Sequence, residues 1–257
     1  IERISSGLKI NSAADDAGGL ALGMKLSSES TLATTLKNNV DNAKSYTDQQ
    51  SAALSSISTL VTRMQTLQVS HSNPLATADD KSGYDEEFKE LQQQVYSLSI
   101  EKFNGISLFD RGSNLEVSTS TDGAGTKIDL SDLDLQSALA ATGTSTLNLA
   151  DNSTPLESLA DNDIATNLDT ILGAVTQLMG ESAADSSALS YASSYLDVKA
   201  TNLEAARSRV MDADATEEEL NRSKYEIQYQ AAAAALVQAN STQKTVMELL
   251  LFGKTGS

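Results

Sequence analysis

A long stretch without proline, residues 13–69, limits what this chain can fold into more than any other feature. After Gly23 the stretch also lacks glycine, and its apolar residues recur mostly in steps of three and four. The recurring residues are Leu36, Val40, Ala43, Tyr46, Leu54, Ile57, Val61, Met64 and Leu67. This spacing is typical of a helix that packs along a seam. About 55 helical residues would extend roughly 80 Å, so the sequence predicts an elongated rod.

Composition favours narrow helical seams over a thick globular interior. Aromatic residues make up 4% of the chain, Trp is absent, and the 257 residues include two prolines. Because proline interrupts helices, its scarcity fits a mainly α-helical protein.

A second helix is expected after a short loop. Pro74, Asp79, Asp80 and the pair Ser82-Gly83 predict a loop over residues 71–83. A new apolar seam follows, formed by Tyr84, Phe88, Leu91, Val95 and Leu98. Because the connection is short, we expect this helix to pack antiparallel on the first.

The middle of the chain has shorter, alternating patterns. Phe103-Asn104-Gly105 predicts the end of the second helix, and residues 113–130 predict a β-hairpin. Alternation continues to Leu135, which favours one solvated strand face for Asp129, Asp132 and Asp134. Residues 142–155 are rich in Gly, Ser, Thr and Asn, and predict a surface excursion or a linker.

Two further helices are predicted towards the C-terminus. Residues 163–211 form a return limb nearly as long as the first helix, and residues 216–251 lack both Gly and Pro. The last segment contains five consecutive alanines at 231–235, which favour helix but bury little area. No other segment is left to cover it, so we expect disorder here unless another molecule packs against it.

Charge and side-chain chemistry exclude several classes of function. The formal net charge of −17 argues against nucleic acid and against an anionic membrane surface as partners. Cysteine is absent, and His71 is the only histidine, placed in the predicted loop where we expect it to be solvated. The Asp pairs lack the glycine of a calcium loop, and the Gly pairs lack a phosphate-loop ending. We therefore predict no catalytic, metal-binding or cofactor-binding residues, and no enzyme.

Three segments together resemble one known family. Residues 2–18, ERISSGLKINSAADDAG, resemble the N-terminal signature of bacterial flagellins, and residues 206–214, ARSRVMDAD, resemble the C-terminal signature. Residues 229–240 are similar to the alanine-rich helix that follows that signature. Phe103-Asn104-Gly105 stands where the family changes from helix to hairpin.

The resemblance implies a fold. It implies a mainly α protein: an elongated antiparallel helical rod with a small β-hairpin region and a C-terminal coiled-coil helix. We divide the chain into an N-terminal limb at 1–112, the hairpin and excursion at 113–162, a C-terminal limb at 163–215 and an inner-coil helix at 216–257. The chain begins with Ile1, and we expect that the N-terminal strand of the inner coil, the natural partner of the last helix, is missing.

The resemblance also implies a function and partners. It implies a subunit that polymerises into the bacterial flagellar filament for swimming motility, secreted to the cell exterior, with other flagellin subunits as partners. One alternative is a hook-filament junction protein, and another is a surface protein that binds glycans or other ligands on a flagellin scaffold.

Two sets of residues are candidate sites. The first is an apolar face of the last helix, where the family has a filament-assembly surface that an export chaperone covers beforehand. Its members are Leu220, Ile227, Ala231, Ala234, Leu236, Val246, Leu249 and Leu250. The second is residues 63–69, which resemble the stretch that animals' Toll-like flagellin receptor recognises. Arg63 and Leu67 match that motif, whereas Thr66 replaces its usual acidic residue; the alternative is that Leu67 belongs to the core and Arg63 is solvated.

Overall fold

The computed structural model describes residues 2–120, 125–140, 149, 159 and 163–253, and it is mainly α-helical as predicted. In chain order the elements are α1 Glu2–Ser6, α2 Ala17–His71, α3 Ala78–Ser99, β1 Lys102–Phe103, β2 Ile106–Ser107, β3 Leu115–Ser118, β4 Lys127–Leu130, α4 Leu135–Leu139, α5 Ile164–Met211 and α6 Ala215–Gly253. Apart from Leu149, the predicted excursion at 142–155 lies outside the described residues.

The chain divides into two compact units. Unit 1 contains Ile1–Ser30 and Thr201–Ser257, and unit 2 contains Thr31–Ala200. This grouping cuts across the predicted limbs, because α2 and α5 each contribute residues to both units.

In unit 2 the long helices α2 and α5 run antiparallel. The Ser193 hydroxyl donates to the Asp41 carboxylate at 2.6 Å, and the Ser51 and Ser182 hydroxyls are 2.9 Å apart. Residue numbers therefore rise along α2 as they fall along α5. Between these two contacts, the Ser186 hydroxyl donates to Asp48 at 3.1 Å. Repeated contacts of this kind fix the register of the two helices.

Helix α3 runs antiparallel to α2 as well. Arg63 donates to Glu87 at 2.7 Å near one end, and Gln49 lies 3.5 Å from Glu101 near the other. The predicted seams of all three helices meet in one core, which confirms their assignment. Its fully buried members include Leu54, Ile57, Val61, Met64, Phe88, Val95, Leu168, Ile171, Val175, Leu189 and Leu196.

The start of α3 corrects the predicted loop. The helix begins at Ala78, so Asp79, Asp80 and Gly83 are helical. The backbone N–H of Asp80 donates to the Thr77 hydroxyl at 3.2 Å, and the Asp80 carboxylate accepts the Thr77 N–H at 3.0 Å. This reciprocal pair is a capping box, and it uses the residue types that also favour loops.

The β region contains the predicted hairpin and one that the sequence analysis missed. Strands β3 and β4 pair antiparallel, with Leu115 opposite Leu130, which confirms the first hairpin. Strands β1 and β2 form the second, and the turn residues Asn104 and Gly105 both have positive φ angles, 49° and 82°. Asn-Gly is the preferred pair for such a two-residue turn. The motif therefore marks a hairpin turn, three residues beyond the end of the helix.

The predicted solvated strand face is wrong beyond Leu130. Strand β4 ends there, and Asp134 caps the short helix α4 by accepting the Ser137 N–H at 2.9 Å. Asp132 instead accepts the Arg111 N–H at 2.8 Å. Each of these two carboxylates therefore accepts a backbone N–H, Asp134 from within its own helix and Asp132 from a segment 21 residues earlier in the chain.

A buried polar cluster fastens the β region to α2. The Tyr46 hydroxyl is 2.7 Å from the Ser107 carbonyl oxygen and 3.0 Å from that of Leu108. Arg111 donates to the same hydroxyl, and its guanidinium lies 5.3 Å from the centre of the Tyr46 ring. One side chain of α2 therefore satisfies polar groups on the segment that joins the two hairpins.

Replacing Tyr46 with Phe keeps the ring and removes these hydrogen bonds. We expect Tyr46→Phe to lower the free energy of unfolding by about 1–3 kcal/mol, because buried partners, one of them charged, lose their hydrogen bonds. Urea denaturation followed by circular dichroism measures the change. The exposed Tyr191→Phe is the matched control and should change stability by less than about 0.5 kcal/mol. Equal effects of the two substitutions would contradict this role of Tyr46.

Asp110 introduces a pH dependence in the same region. Burial of its carboxyl group, followed by a hydrogen bond with Asp134 and the negative charge of Asp132, raises the pKa of Asp110 to about 6. The Gln136 N–H, which donates to this carboxylate at 3.1 Å, opposes the rise. The pKa of Asp110 in the folded chain is above the unfolded value of 3.8. The contribution of this group to the free energy of unfolding is therefore fully present below pH 3.8 and is lost as the pH rises through about 6.

We expect Asp110→Asn to raise the melting temperature above about pH 7 and to leave it unchanged below about pH 4. Asn can still accept the Gln136 N–H, and it tolerates the positive φ of 52° at this position. The gain should be at most about 2 °C, because the carboxyl group of Asp110 is only partly covered in an otherwise exposed residue, so solvent still screens its charge. Thermal melts across this pH range test it, with the exposed Asp79→Asn as the control for charge alone. A gain in melting temperature that is equal at both ends of the pH range would refute the raised pKa of Asp110.

Candidate assembly surface

The candidate surface is on α6, and a cap in unit 1 sets the start of this helix. The Asp214 carboxylate accepts the N–H groups of Thr216 at 2.8 Å and Glu217 at 3.3 Å. These two hydrogen bonds lower the pKa of Asp214. The cap satisfies backbone donors that have no partner inside the helix, so α6 begins at a defined residue.

The two signature segments meet at this cap. The Lys9 N–H donates to the Met211 carbonyl at 2.7 Å, and the Ala213 N–H donates to the Gly7 carbonyl at 2.9 Å. Leu8 and Asp212 form an antiparallel bridge between the two hydrogen bonds. Residues 2–18 and 206–214, distant in sequence, therefore form one short backbone ladder.

Close packing explains why residue 23, near the start of α2, is a glycine. A Cβ atom on Gly23 would overlap the side chain of Met211, a buried residue at the end of α5. The side chains can approach only because Gly23 has none.

Arg3 adds an electrostatic contact between the first residues and α6. Its guanidinium lies 3.4 Å from the Glu218 carboxylate and 3.8 Å from that of Asp15. The Ser12 hydroxyl, the Ser12 N–H and the Asn11 N–H all donate to Asp15 and lower its pKa, and Arg3 contributes further. The first turn of α6 is thus held both by hydrogen bonds to its backbone and by the ion pair with Arg3.

Beyond this point the side chains of α6 that the structure describes are uncovered. Every residue from 222 to 248 is exposed. The predicted surface residues Leu220, Ile227, Ala231, Ala234, Leu236 and Val246 are all among the exposed ones. Leu249 and Leu250 lie within the helix, but their side chains fall outside the described part of the chain. The expectation that the segment is disordered without a partner stays a prediction.

The helix separates the predicted residues into two rows. Leu220, Ile227, Ala231 and Ala234 follow each other in steps of seven, four and three, and form the first row. Leu236 and Val246 belong to a second row on a different side of the helix. This row starts five residues after the first. The second row consists of Tyr225, Tyr229, Ala232, Leu236, Ala239 and Val246.

The sequence analysis missed the two tyrosines of the second row. Tyr225 is 66% exposed and Tyr229 is 77% exposed. Their signal was in the sequence, because the second row advances in steps of four and three from Tyr225 to Ala239. A helix that is apolar on two sides is typical of a position between neighbours on both sides.

The candidate receptor residues are in different environments. Leu67 is only 2% exposed and packs in the core of unit 2, so its side chain is not at the surface of the folded chain. Arg63 is half exposed and forms an ion pair with Glu87. Recognition of Arg63 by a receptor stays a prediction.

His71 is not the solvated loop residue that we expected. It is the last residue of α2, and its side chain is 12% exposed and lies 4.0 Å from the Asp85 carboxylate. Within the described residues, no three His, Asp or Glu side chains come together as metal ligands. In the same part of the chain, no helix is both long enough and apolar enough to cross a membrane.

The fold and this exposed helix define a class, the mainly α-helical structural proteins. Comparison with known proteins is more specific. Residues 1–114 match the model of the bacterial flagellin N-terminal helical region, and residues 165–250 match that of the C-terminal helical region. The chain belongs to the bacterial flagellin family and is a structural subunit of the flagellar filament.

Relatives along nearly the whole chain agree with this assignment. A flagellin of Halalkalibacterium halodurans is 30% identical over 97% of this chain and 90% of its own length. The flagellar filament 33 kDa core protein of Treponema phagedenis is 26% identical over 97% of this chain and 91% of its own length. These relatives do not favour the junction-protein or glycan-binding alternatives.

A solved structure supports the fold alone. A Vibrio parahaemolyticus protein described as flagellar hook-associated has a TM-score of 0.52 and 18% identity, covering 77% of this chain and 97% of that chain. At this identity the similarity says nothing about which flagellar part the chain forms.

We expect Asp214→Ala to loosen the first turn of α6. Since the folded pKa of Asp214 is below 3.8, its contribution is present above pH 3.8 and is lost as the pH falls through the folded value. Amide hydrogen exchange of residues 215–219 should therefore be faster in the variant at about pH 7, and the difference should vanish in acid. The Asp214→Asn variant is the control, because Asn also caps helices and should restore most of the protection. Equal protection in Asp214→Ala and the parent would show that the cap is dispensable.

Proposed function

We propose that α6 is the helix through which this subunit packs with other flagellin subunits in the filament. The observation that carries the proposal is the pair of exposed apolar rows on α6. Burial of one large apolar side chain contributes about 1.5–3 kcal/mol. Several such side chains remain in contact with water in the single chain: Leu220, Tyr225, Ile227, Tyr229, Leu236, Val237, Val246 and Met247.

The small residues of α6 support close packing with neighbouring helices. The five alanines at 231–235 occupy both rows and the surface between them. Because alanine projects only a methyl group, two helix backbones can approach closely along this part of α6. Close packing along a long helix suits a permanent assembly rather than a transient encounter.

A neighbour on each side of α6 also suits a filament. When each subunit uses one surface to contact a different surface of the next, the arrangement does not close and generates a helical polymer. The polymer is the structure on which bacterial swimming depends, and its subunits are exported from the cell.

The same rows explain why a chaperone would bind α6 before assembly. Exposed apolar surface of this extent promotes aggregation of the subunit before it is assembled. An export chaperone that covers the rows would prevent it. Binding of the chain to a flagellar export chaperone, measured by calorimetry, should weaken when either row is made polar; unchanged affinity would contradict a chaperone site on α6.

Two variants test the assembly helix. We expect Leu220→Ser with Ile227→Ser to disrupt the first row, and Tyr225→Ser with Tyr229→Ser to disrupt the second. Each pair should raise the critical concentration for polymer formation at least about tenfold, because a loss of about 1.4 kcal/mol already has that effect. Sedimentation and electron microscopy measure it.

The control is Leu75→Ser, which removes an 88% exposed apolar side chain from the loop between α2 and α3. It should leave assembly unchanged. Thermal melts should be the same for all variants, because none of the replaced residues is in the core. Polymer formation at the parental critical concentration by both row variants would refute the proposal.

A further inference from the structure

Two carboxyl groups meet at the start of the short helix α4. The Asp134 carboxylate accepts the Ser137 N–H at 2.9 Å, and the carboxyl group of Asp110, which belongs to the segment that joins the two hairpins, accepts the Gln136 N–H at 3.1 Å. The side chains of Asp110 and Asp134 are also hydrogen-bonded to each other. Because an ionised carboxylate has no hydrogen to donate, this last hydrogen bond requires a proton on one of the two groups.

The surroundings of the two groups place this proton on Asp110. The hydroxyl and the backbone N–H of Ser137 both donate to Asp134 and lower its pKa, which favours the ionised form. Burial, the carboxylate of Asp134 and the charge of Asp132 raise the pKa of Asp110, which favours the protonated form. Asp110 is therefore the donor of the pair and Asp134 the acceptor.

Further acidic groups add negative charge around the pair. Asp132, just before α4, and Asp185, on α5, each accept a backbone N–H from the adjoining segments at 2.8 Å. Helix α4 itself contains no charged side chain. Loss of the proton would therefore leave two ionised carboxylates side by side, with no positive charge on α4 to compensate.

The basic side chains of the region do not replace the proton. Arg111 donates to the Tyr46 hydroxyl and to two backbone carbonyl oxygens at the end of β4. Lys102 lines a cavity of about 350 Å³ together with Asp110, and the other residues that line this cavity are uncharged. The pKa of Asp110 is raised by burial and by its acidic neighbours even with Lys102 beside the cavity.

Helix α4 depends on contacts of this kind, because it has only five residues. A helix of this length is not stable by itself. Leu135 and Leu139 are fully buried and hold it to the core. The Asp110 N–H donates to the Leu133 carbonyl at 3.1 Å, so the joining segment and α4 are attached through backbone and side chain together. A change at Asp110 therefore acts directly on the position of α4.

We propose that Asp110 and Asp134 share one proton, and that this proton is a latch that holds α4 against the segment joining the two hairpins. When the proton is lost, repulsion between the two carboxylates favours a state in which α4 is open. The acidity of the surroundings thereby controls how firmly one part of unit 2 is closed. The latch goes beyond the role of α6 in assembly and does not depend on it.

Amide hydrogen exchange of the whole chain tests the latch, because exchange reports local opening. Labelling at about pH 5 and about pH 8, for times scaled to the intrinsic exchange rate, brackets the titration of Asp110. We expect the protection of residues 134–140 to fall at least about threefold between these pH values, an effect that solvent screening keeps modest. The first turn of α3 is the internal control. Its cap uses the carboxylate of Asp80, whose pKa is lowered, so its protection should not fall.

Asp110→Asn is the matched variant. Its side-chain amide is neutral at both pH values, can donate to Asp134 and can accept the Gln136 N–H. We expect α4 in this variant to be equally protected at both pH values. Asp134→Asn keeps a residue that caps helices and removes the neighbouring charge, so the pH dependence should become smaller.

Two results would overturn the latch. One is protection of residues 134–140 that is the same at both pH values in the parent chain, a comparison that needs no substitution. The other is an equal fall in the parent and in Asp110→Asn, since the fall would then have a different cause.

The α6 variants keep the latch and the assembly proposal apart. Asp110, Asp134 and α4 all belong to unit 2, whereas α6 belongs to unit 1. Assembly that is lost in the α6 variants, with protection of α4 that does not depend on pH, would remove the latch and leave the assembly helix. Protection of α4 that depends on pH, with α6 variants that assemble normally, would do the reverse.

Discussion

The antiparallel pairing of α2 with α5 is the contact on which the rest of unit 2 depends. Its centre is apolar and fully buried, as at Val61 and Leu189. At its edge, three contacts made by serine hydroxyls, with Asp41, Asp48 and Ser51, recur along the pair. A slip of one residue would turn every α5 side chain by about 100° relative to α2. The apolar centre therefore supplies most of the stabilisation, and the polar edge fixes the register.

This pairing also determines which side chains remain outside. Because α5 uses Leu189 and Leu196 inward, Tyr191 and Tyr195 of the same helix are exposed. In unit 1, the ladder between residues 2–18 and 206–214 holds only the beginning of α6, and both rows beyond it are exposed. Satisfying the core of a single chain thus leaves apolar surface for other chains, as a subunit that assembles requires.

Much of the fold followed from simple patterns, and its failures have local causes. The seams of α2, α3 and α5 were predicted because each buries a stripe at helical spacing, and a stripe is visible in sequence. The capping box of Thr77 and Asp80 was mistaken for a loop, since caps and loops favour the same residues. The Asn104-Gly105 turn and the Asp134 cap were missed for a related reason: the same short polar residues also occur at helix ends and on solvated strand faces.

The candidate site divides in a similar way. The last helix was predicted as an assembly surface, and the six predicted residues whose side chains the structure describes are exposed, but the tyrosines Tyr225 and Tyr229 were missed. Leu67 was proposed as a contact on a motif alone, and the core buries it. A motif gives residue identities, whereas exposure depends on which neighbouring helix covers each side.

The sequence by itself determined the long helices, the first hairpin and the family. These depend on periodicity, on glycine and proline positions and on signatures that occupy continuous stretches of chain. Only the tertiary structure decided the meeting of residues 2–18 with 206–214, the partial burial of His71, the burial of Leu67, and the exposure of Tyr191 and Tyr195. The physical reason is that these features depend on contacts between segments far apart in sequence, and which side of a helix is covered is settled by its neighbours in space.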